Sequence, residues 1–285
     1  MRLKKALVAL GILAGIATFV WAAWPRPTEK AEGKIVLRVW GIGEGEYFIG
    51  TRYAVKVFER LHPNIKVQMV PMGGGMDPQK LMTAIAAGTP PDVIRQDRFS
   101  VADWASRDAF IPLDNLIKKF GINPKDFYPA CWNEAVWRGH VYAIPCNTDC
   151  RALYWNKEVF REAGLDPERP PRTWDELFEY AVKLTKYDRH GNFVRVGFIP
   201  MYGNSWLYLY GWQNGGRFMT PDGRRCTLND PRIVEALEFI VKLYDALKGA
   251  EALNAFQATF GQEVLDPFII GKVAMKIDGN WYLNI

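Results

Sequence analysis

Charged, amide and aromatic side chains stand where predicted strands of this sequence run into loops. These residues are Asp97, Arg98, Asn147, Asp149 and Trp281. A carboxylate accepts several hydrogen bonds, an arginine donates two in a fixed fork, and a flat aromatic ring covers an apolar surface. A sugar offers hydroxyls together with faces of C–H groups, so this combination of residue types favours carbohydrate binding.

Each of these residues also has a purely structural interpretation. Asp97 and Arg98 fit the N-terminal turn of a helix, and Trp281 fits a core position. Because open α/β sheets bind ligands at the carboxyl ends of their strands, the shared location of these residues favours a binding site.

Hydrolysis of a glycosidic bond is the alternative chemistry, since two carboxylates across a cleft can perform it. Glu44, Glu46, Asp97 and Asp149 offer such pairs, although a solvated surface position is the default for the two glutamates. The sequence has no G-x-S-x-G or H-E-x-x-H motif and only 3 histidines. We therefore expect neither enzymatic activity nor a catalytic metal.

Two glycine-rich segments, 41–48 and 71–80, differ from nucleotide-binding loops at decisive positions. Glu46 occupies the third glycine position of a dinucleotide fingerprint, and PMGGGMDPQK lacks the Gly-Lys-Ser/Thr ending of a phosphate loop. Both segments are predicted to be turns, in which glycine supplies backbone freedom. We expect no cofactor.

The overall composition is that of a globular protein with a nearly balanced surface. The 285 residues are 49% hydrophobic and 24% charged, and three of the charges behind the formal net value of +5 come from Arg2, Lys4 and Lys5. A chain this long has the material for one large domain or two small ones. The near balance of charge gives no support for nucleic-acid binding.

The N-terminal segment 1–24 has a basic start and an apolar run from Ala6 to Trp24. This pattern predicts export from the cytoplasm. Cleavage after Ala22 and retention as a membrane anchor both fit, because the run is longer than an ordinary signal core and close to a membrane span. The rest of the chain is expected in the periplasm or on the outer face of the membrane.

Export places the four cysteines in a compartment that permits disulfides. Cys131, Cys146 and Cys150 are the candidates for a bridge, and independent buried thiols are the alternative. A zinc site built from these thiols and His140 is disfavoured, because C-x-x-x-C is not a usual structural zinc spacing.

Strand and helix patterns alternate along the chain after a polar linker, 25–33. The first block has strand-like runs at 34–40, 65–70 and 91–94, separated by helical patterns, which predicts a mostly parallel sheet covered by helices. A second α/β block begins after residue 150, with Thr173 and Glu176 as a capping box and Asp230 as the cap of a long helix.

Two stretches closely resemble the signature region of the family 1 extracellular solute-binding proteins, the sugar-capturing components of ABC importers. They are GHVYAIP (139–145) and LYWNKEVFREAGLDPERPPRTWDELFEYAVKLT (153–185). GKVAMKIDGNW (271–281) resembles a later motif of that family, and PPDVI and IVLRVWG also fit. The resemblance extends over roughly residues 34–285.

The resemblance implies a two-lobed α/β fold, the type II periplasmic-binding-protein fold, that closes on its ligand by hinge motion. It implies lobes at 34–145 and 152–285 with an interlobe crossing at 146–151, and a ligand held in the cleft between them. The implied ligand is a carbohydrate, with an oligosaccharide favoured. The implied protein partner is the membrane permease of an ABC transporter, and the receptor is expected to be a monomer. The same fold binding a non-sugar solute is the alternative.

By similarity to maltodextrin-binding proteins, Asp149 matches a carboxylate that binds sugar hydroxyls in the crossing. Asp97 and Arg98 match the first two residues of a sugar-binding triplet, and Trp281 matches a stacking tryptophan. Trp206 lies in a region that contributes aromatic residues to such sites. Loop 41–48 corresponds to the first ligand-facing loop of the family, which makes Glu44 and Glu46 ligand-binding candidates as well. Family members run to roughly 400 residues, well past one domain's typical length, so the resemblance also implies an incomplete second lobe and apolar surface left exposed.

Overall fold

The computed structural model describes residues 30–31, 33–42, 48–72, 77–262 and 266–284. The chain divides into two compact units between Thr148 and Asp149. The predicted leader, 1–24, lies outside the described residues. Within the described ranges, no helix combines the length and the apolar character needed to cross a membrane.

The first unit contains a four-stranded sheet organised around one long strand. Its strands are β1 (Lys30–Ala31), β2 (Lys34–Trp40), β3 (Ile65–Val70) and β4 (Val93–Ile94). β3 pairs with β2 in parallel over its whole length, so β1 and β4 share the other edge of β2. β4 is parallel and β1 antiparallel to β2. The carboxyl ends of β2, β3 and β4 therefore lie at one edge of the sheet.

Five α-helices and a small hairpin accompany this sheet in the described part of the first unit. They are α1 (Ile49–Leu61), α2 (Pro78–Ala86), α3 (Val101–Ser106), α4 (Asp114–Phe120), α5 (Pro129–Glu134), and the hairpin β5 (Val136–Trp137) and β6 (His140–Val141). α2 begins at Pro78, directly after Asp77, whose side chain caps the amides of Gln79 and Lys80. β6 has only two residues and begins at His140.

Helix α1 turns part of its apolar face outward. Tyr53 is 66% exposed and Leu61 69%. Its polar side faces β3, where the Glu59 carboxylate accepts a hydrogen bond from the Val67 amide at 2.8 Å. The carboxylate also pairs with Lys66.

The second unit is built on a mixed sheet with a fully buried central strand. Its strands are β7 (Arg151–Trp155), β8 (Lys186–Tyr187), β9 (Phe193–Gly203) and β10 (Val273–Gly279), in the order β7-β10-β9-β8. β10 is antiparallel to β7 and parallel to β9. Every residue of β10 is buried. As a result, the start of β7 and the ends of β9 and β10 lie at the same edge.

Helices pack on this sheet through a shared apolar core. They are α6 (Lys157–Glu162), α7 (Trp174–Leu184), α8 (Leu207–Gln213), α9 (Pro231–Ala246) and α10 (Gly249–Ala258). The core includes the fully buried side chains of Phe160, Leu184, Phe198, Leu243 and Met275. On its outer side, α9 exposes Val234, Leu237 and Val241.

The predicted helix caps are present, with one change in the capping box. Asp230 caps α9, and the Thr173 hydroxyl accepts the Glu176 amide at 3.2 Å. The Glu176 carboxylate does not return to Thr173, however. It accepts the Arg172 amide at 2.7 Å and pairs with Arg169. The nearby guanidinium draws the carboxylate past the position that a capping box requires.

Candidate functional site

Strand register gathers the candidate residues of the second unit at one edge of its sheet. Arg151 pairs with Gly279 in the antiparallel ladder between β7 and β10. The ladder continues one step further, since the Asn280 amide donates to the Cys150 carbonyl at 3.1 Å. Asp149 lies directly before Cys150, and Trp281 lies directly after Asn280, so these two residues take the next positions along the paired segments. Their neighbourhood therefore results from pairing of segments more than a hundred residues apart in sequence.

Arg151 connects the predicted carboxylate with the predicted aromatic residue. Its guanidinium forms an ion pair with Asp149, and its Cζ lies 4.5 Å from the centre of the Trp281 ring. A guanidinium over an indole is attracted by the negative face of the ring. The Nε atom of Arg151 is buried and has no hydrogen-bond partner in the described structure. These contacts hold a carboxylate and a half-buried indole side by side.

Gly279 makes room for the indole. A Cβ atom at this position would lie 2.3 Å from both Cη2 and Cζ3 of Trp281. Such a distance is far below van der Waals contact, so the ring occupies the space that any larger residue would fill. The Trp281 ring is thus folded back over the end of β10.

A buried lysine lies beneath this end of the strand. Lys276 Nζ contacts Asp266 Oδ2 at 2.8 Å and Asp278 Oδ2 at 2.9 Å. It also lies 4.0 Å from the centre of the Tyr282 ring and 5.2 Å from that of Tyr202.

Desolvation acts to raise the pKa of Asp266, but hydrogen bonds from Lys276, the Phe268 amide and the Tyr282 hydroxyl outweigh it, and the pKa is lowered. Desolvation together with the Asp266 charge raises the pKa of Tyr282. The cluster thus favours a charged carboxylate beside a neutral phenol.

Trp206 stands at the same edge of the second unit. It is 48% exposed and immediately precedes α8. The parallel pairing of Gly203 with Ile277 brings the end of β9 beside the end of β10. A hydrogen bond from Asn204 Nδ2 to Asp278 Oδ1, at 2.6 Å, joins the two strand ends.

The candidate residues of the first unit form a separate group around Arg98. Its Nε donates to Glu134 at 2.6 Å, and its Nη1 donates to the Asn147 carbonyl at 2.8 Å. Desolvation acts to lower the pKa of Arg98, but the bond to Glu134 and the charges of Glu134, Cys131 and Cys146 outweigh it and raise the pKa. Arg98 and Asn147 are therefore neighbours, although 49 positions separate them.

Asp97 lies beside this group at the carboxyl end of β4. It precedes a turn of 3-10 helix, Arg98–Ser100, as the structural interpretation of the sequence suggested. Its carboxylate does not cap that turn, and the Ser100 hydroxyl donates to the Asp97 carbonyl instead. The exposed carboxylate is consequently not committed to the turn.

The remaining candidate residues are the two glutamates of loop 41–48 and the cysteines. Glu44 and Glu46 lie outside the described residues. All four thiols are free, with Cys131 buried and Cys146, Cys150 and Cys226 exposed. No group of three or more histidine, cysteine or acidic residues suited to a metal ion occurs in the described part of the chain. The disulfide stays a prediction.

The model of the bacterial extracellular solute-binding protein family matches residues 46–285. The chain belongs to this family. Among curated solute-binding proteins, the sn-glycerol-3-phosphate-binding periplasmic protein UgpB of Escherichia coli K12 is 31% identical over 162 residues, which are 54% of this chain and 36% of that protein. UgpB of Salmonella typhimurium is 32% identical over 164 residues, 55% of this chain and 37% of that protein.

Solved structures of solute-binding proteins are also similar. CpMnBP1 with mannobiose bound is 34% identical with a TM-score of 0.74, over 87% of this chain and 64% of that one. Lmo0181 of Listeria monocytogenes, in complex with cycloalternan, is 25% identical with a TM-score of 0.70, over 87% of this chain and 62% of that one. The predicted type II α/β fold is confirmed. The chain spans just over a third of the matched curated relatives and less than two thirds of these structures.

Sequence reasoning missed Arg151, which contacts two of the predicted residues of this solute-binding protein. Its signal was present, since it lies two positions after Asp149 and so points to the same side of an extended segment. What the sequence lacked was the antiparallel register that sets Arg151 against Gly279. Glu134, the partner of Arg98, was missed for the same kind of reason.

Proposed function

We propose that this solute-binding protein captures a carbohydrate, an oligosaccharide above all, outside the cytoplasm and delivers it to an ABC importer. The observation that carries the proposal is the group formed by Asp149, Arg151 and Trp281. It offers a carboxylate for hydroxyls next to an indole for a sugar ring. Asp97, Arg98 and Asn147 supply further hydrogen-bonding groups in the first unit.

Similarity to proteins with bound oligosaccharides supports an oligosaccharide as the solute. CpMnBP1 has structures with mannobiose and with mannotriose, and Lmo0181 has one with cycloalternan. The additional exposed indole of Trp206 at the same sheet edge suits a ligand with more than one ring. The interlobe position of the ligand and the hinge motion stay predictions of the resemblance.

A phosphorylated solute is the second candidate, because the curated relatives named above bind sn-glycerol 3-phosphate. The arginines of both groups would suit an anion. Each is already paired with a carboxylate, however, Arg98 with Glu134 and Arg151 with Asp149. An anion would have to compete with these carboxylates, so we favour a neutral sugar.

We also propose that the chain binds without catalysing a reaction, that segment 1–24 directs export or anchors the protein to the membrane, and that the permease is its protein partner. The basic start and apolar run of that segment support export. The family of extracellular solute-binding proteins supports the location and the partner.

A thermal-shift screen tests the proposal. The panel contains mannobiose, mannotriose, cycloalternan, maltose and glycerol 3-phosphate. A solute that binds only the folded state raises the melting temperature by linkage. We expect a shift with an oligosaccharide and none with glycerol 3-phosphate, and we expect no saccharide to be converted during prolonged incubation. The reverse pattern would establish the phosphorylated solute, and product formation would establish an enzyme.

The variant Trp281→Ala tests whether Trp281 lies in the saccharide-binding site. Removing the indole should lower saccharide affinity by roughly tenfold, because aromatic contact and apolar burial are lost together. Trp137→Ala is the matched control, since Trp137 is also half-buried with an arginine, Arg138, 5.3 Å from its ring. The control should melt lower than the unmodified chain but bind with the same affinity. Equal affinity of the Trp281 variant and the control would exclude Trp281 from the site.

A further inference from the structure

The buried Lys276 cluster surrounds the short segment that presents Trp281. Lys276 and Asp278 are each 5% exposed, in a central strand whose other side chains are almost all apolar. The ammonium has two carboxylate partners and two tyrosine rings within contact distance. A buried ion pair of this kind is a poor source of stability, since apolar residues of similar volume are often as stabilising. Its cost suggests a role in geometry.

The cluster holds the chain on both sides of Trp281. Asp278 Oδ1 accepts the Gly279 amide at 2.8 Å, just before the indole. Asp266 Oδ1 accepts the Tyr282 hydroxyl at 2.8 Å, just after it. Both carboxylates are fixed by the same ammonium group of Lys276. The position of the segment is therefore tied to one buried charge.

Two further bonds act on the same segment. The Tyr154 hydroxyl donates to the Gly279 carbonyl at 2.9 Å, and the Asn280 amide donates to the Cys150 carbonyl. The ring of Tyr154 also meets that of Tyr282 edge-on, with 5.1 Å between centres. The backbone on either side of Trp281 is thus restrained while the indole itself stays half-exposed.

We propose that Lys276, with Asp278, Asp266 and Tyr282, forms a positioning cluster that fixes the Trp281 indole for contact with the saccharide. This inference rests on the proposed function. None of the four residues needs to touch the saccharide, because their effect passes through the backbone of residues 279–282. Asn204, two positions before Trp206, binds the same Asp278 oxygen that receives the Gly279 amide.

The experiment is a double-mutant cycle between Tyr282→Phe and Trp281→Ala, with mannotriose affinity measured by calorimetry. Tyr282→Phe keeps the ring and removes only the hydroxyl that binds Asp266. We expect it to weaken binding roughly three- to tenfold, the equivalent of one hydrogen bond. In the Trp281→Ala background the same change should have no effect on affinity. A loss of general stability would instead lower the affinity equally in both backgrounds or leave it unchanged in both.

The ¹⁹F NMR signal of Trp281 provides a second test, which needs no ligand. With 5-fluorotryptophan incorporated, the ¹⁹F resonance of Trp281 is identified by its absence in Trp281→Ala. We expect this resonance to move in Tyr282→Phe and in Asp278→Asn. Tyr244→Phe is the matched control, because the Tyr244 hydroxyl binds the Met201 backbone elsewhere in the same unit. In the control the resonance and the affinity should stay unchanged.

The outcomes separate the inference from the proposed function. A moved resonance together with weaker binding that depends on Trp281 supports the cluster's role. An unmoved resonance in both variants, or unchanged affinity in a chain that binds mannotriose, overturns the inference and leaves the proposed function intact. If the unmodified chain binds no saccharide of the panel, the proposed function fails and the inference fails with it.

Discussion

Gly279→Ala is the most direct perturbation of the candidate site, because a single methyl group would enter the space of the Trp281 ring. The new Cβ would lie 2.3 Å from two ring carbons, whereas ordinary contact begins near 3.4 Å. The ring must therefore move by about 1 Å or more, since the added atom is fixed to the backbone. Gly279 has no positive φ angle, so alanine fits the backbone conformation itself.

The displaced ring loses its stacking on Arg151 and its alignment with a sugar ring. The lost contact with the sugar ring is worth about 1 kcal/mol, so the affinity for mannotriose should fall by about fivefold, whereas the lost stacking on Arg151 should lower the stability of the free protein. Calorimetry measures the affinity, and a thermal melt without ligand measures the accompanying loss of stability. Gly261→Ala is the control, because a Cβ at Gly261 meets nothing within 4 Å.

Unchanged affinity of Gly279→Ala, in a chain whose affinity does depend on Trp281, would refute the reasoning. It would mean that saccharide binding does not depend on the position of the Trp281 ring over Gly279. A loss of affinity in Gly261→Ala of the same size would refute it as well, since that variant introduces no contact.

Two further changes test the fold and the charge cluster of the second unit. Gly197→Ala would place a Cβ 2.1 Å from the Ala181 carbonyl oxygen, so α7 must shift away from β9. Urea unfolding should show that the free energy of unfolding falls by about 1–3 kcal/mol, and a loss below about 1 kcal/mol would contradict this packing. The lowered pKa of Asp266 contributes stability that is present above the unfolded value of about 3.9 and is lost as the pH falls through the folded value. The melting temperature of the unmodified chain should therefore fall more steeply below about pH 4 than that of Asp266→Asn, and parallel curves would show that the carboxylate is not coupled to folding.

Local signals predicted the elements of this fold better than the contacts between them. The parallel strands β2 and β3 and the long helix α9 follow from apolar periodicity, and the cap at Asp230 follows from residue type. β10 lies in the motif GKVAMKIDGNW, but nothing in that motif indicates the partners of its two buried charges, Lys276 and Asp278. A buried charge is paired through tertiary structure, which a single sequence does not contain.

In the candidate site, too, the sequence indicated individual residues but not the contacts between them. Residue types and strand ends identified Asp149 and Trp281 as candidates, yet only the antiparallel register brings them together. Arg98 and Asn147 were chosen for separate reasons and prove to be hydrogen-bonded neighbours. The roles of Arg151 and Gly279 depend on cross-strand geometry, and for that reason they could not be predicted from spacing along the chain.

The central position of β10 also determines when the second unit can fold. β7 and β9 are both made before residue 273, but each pairs with β10, so the sheet β7-β10-β9-β8 lacks its middle until β10 emerges. Contacts between segments so distant in sequence form slowly, because the intervening chain must first be closed into a loop. During synthesis, β7 and the helices after it therefore remain without a completed core. Until residue 279 has been synthesised, a polypeptide with this strand order therefore keeps β7 and β9 without the strand that joins them.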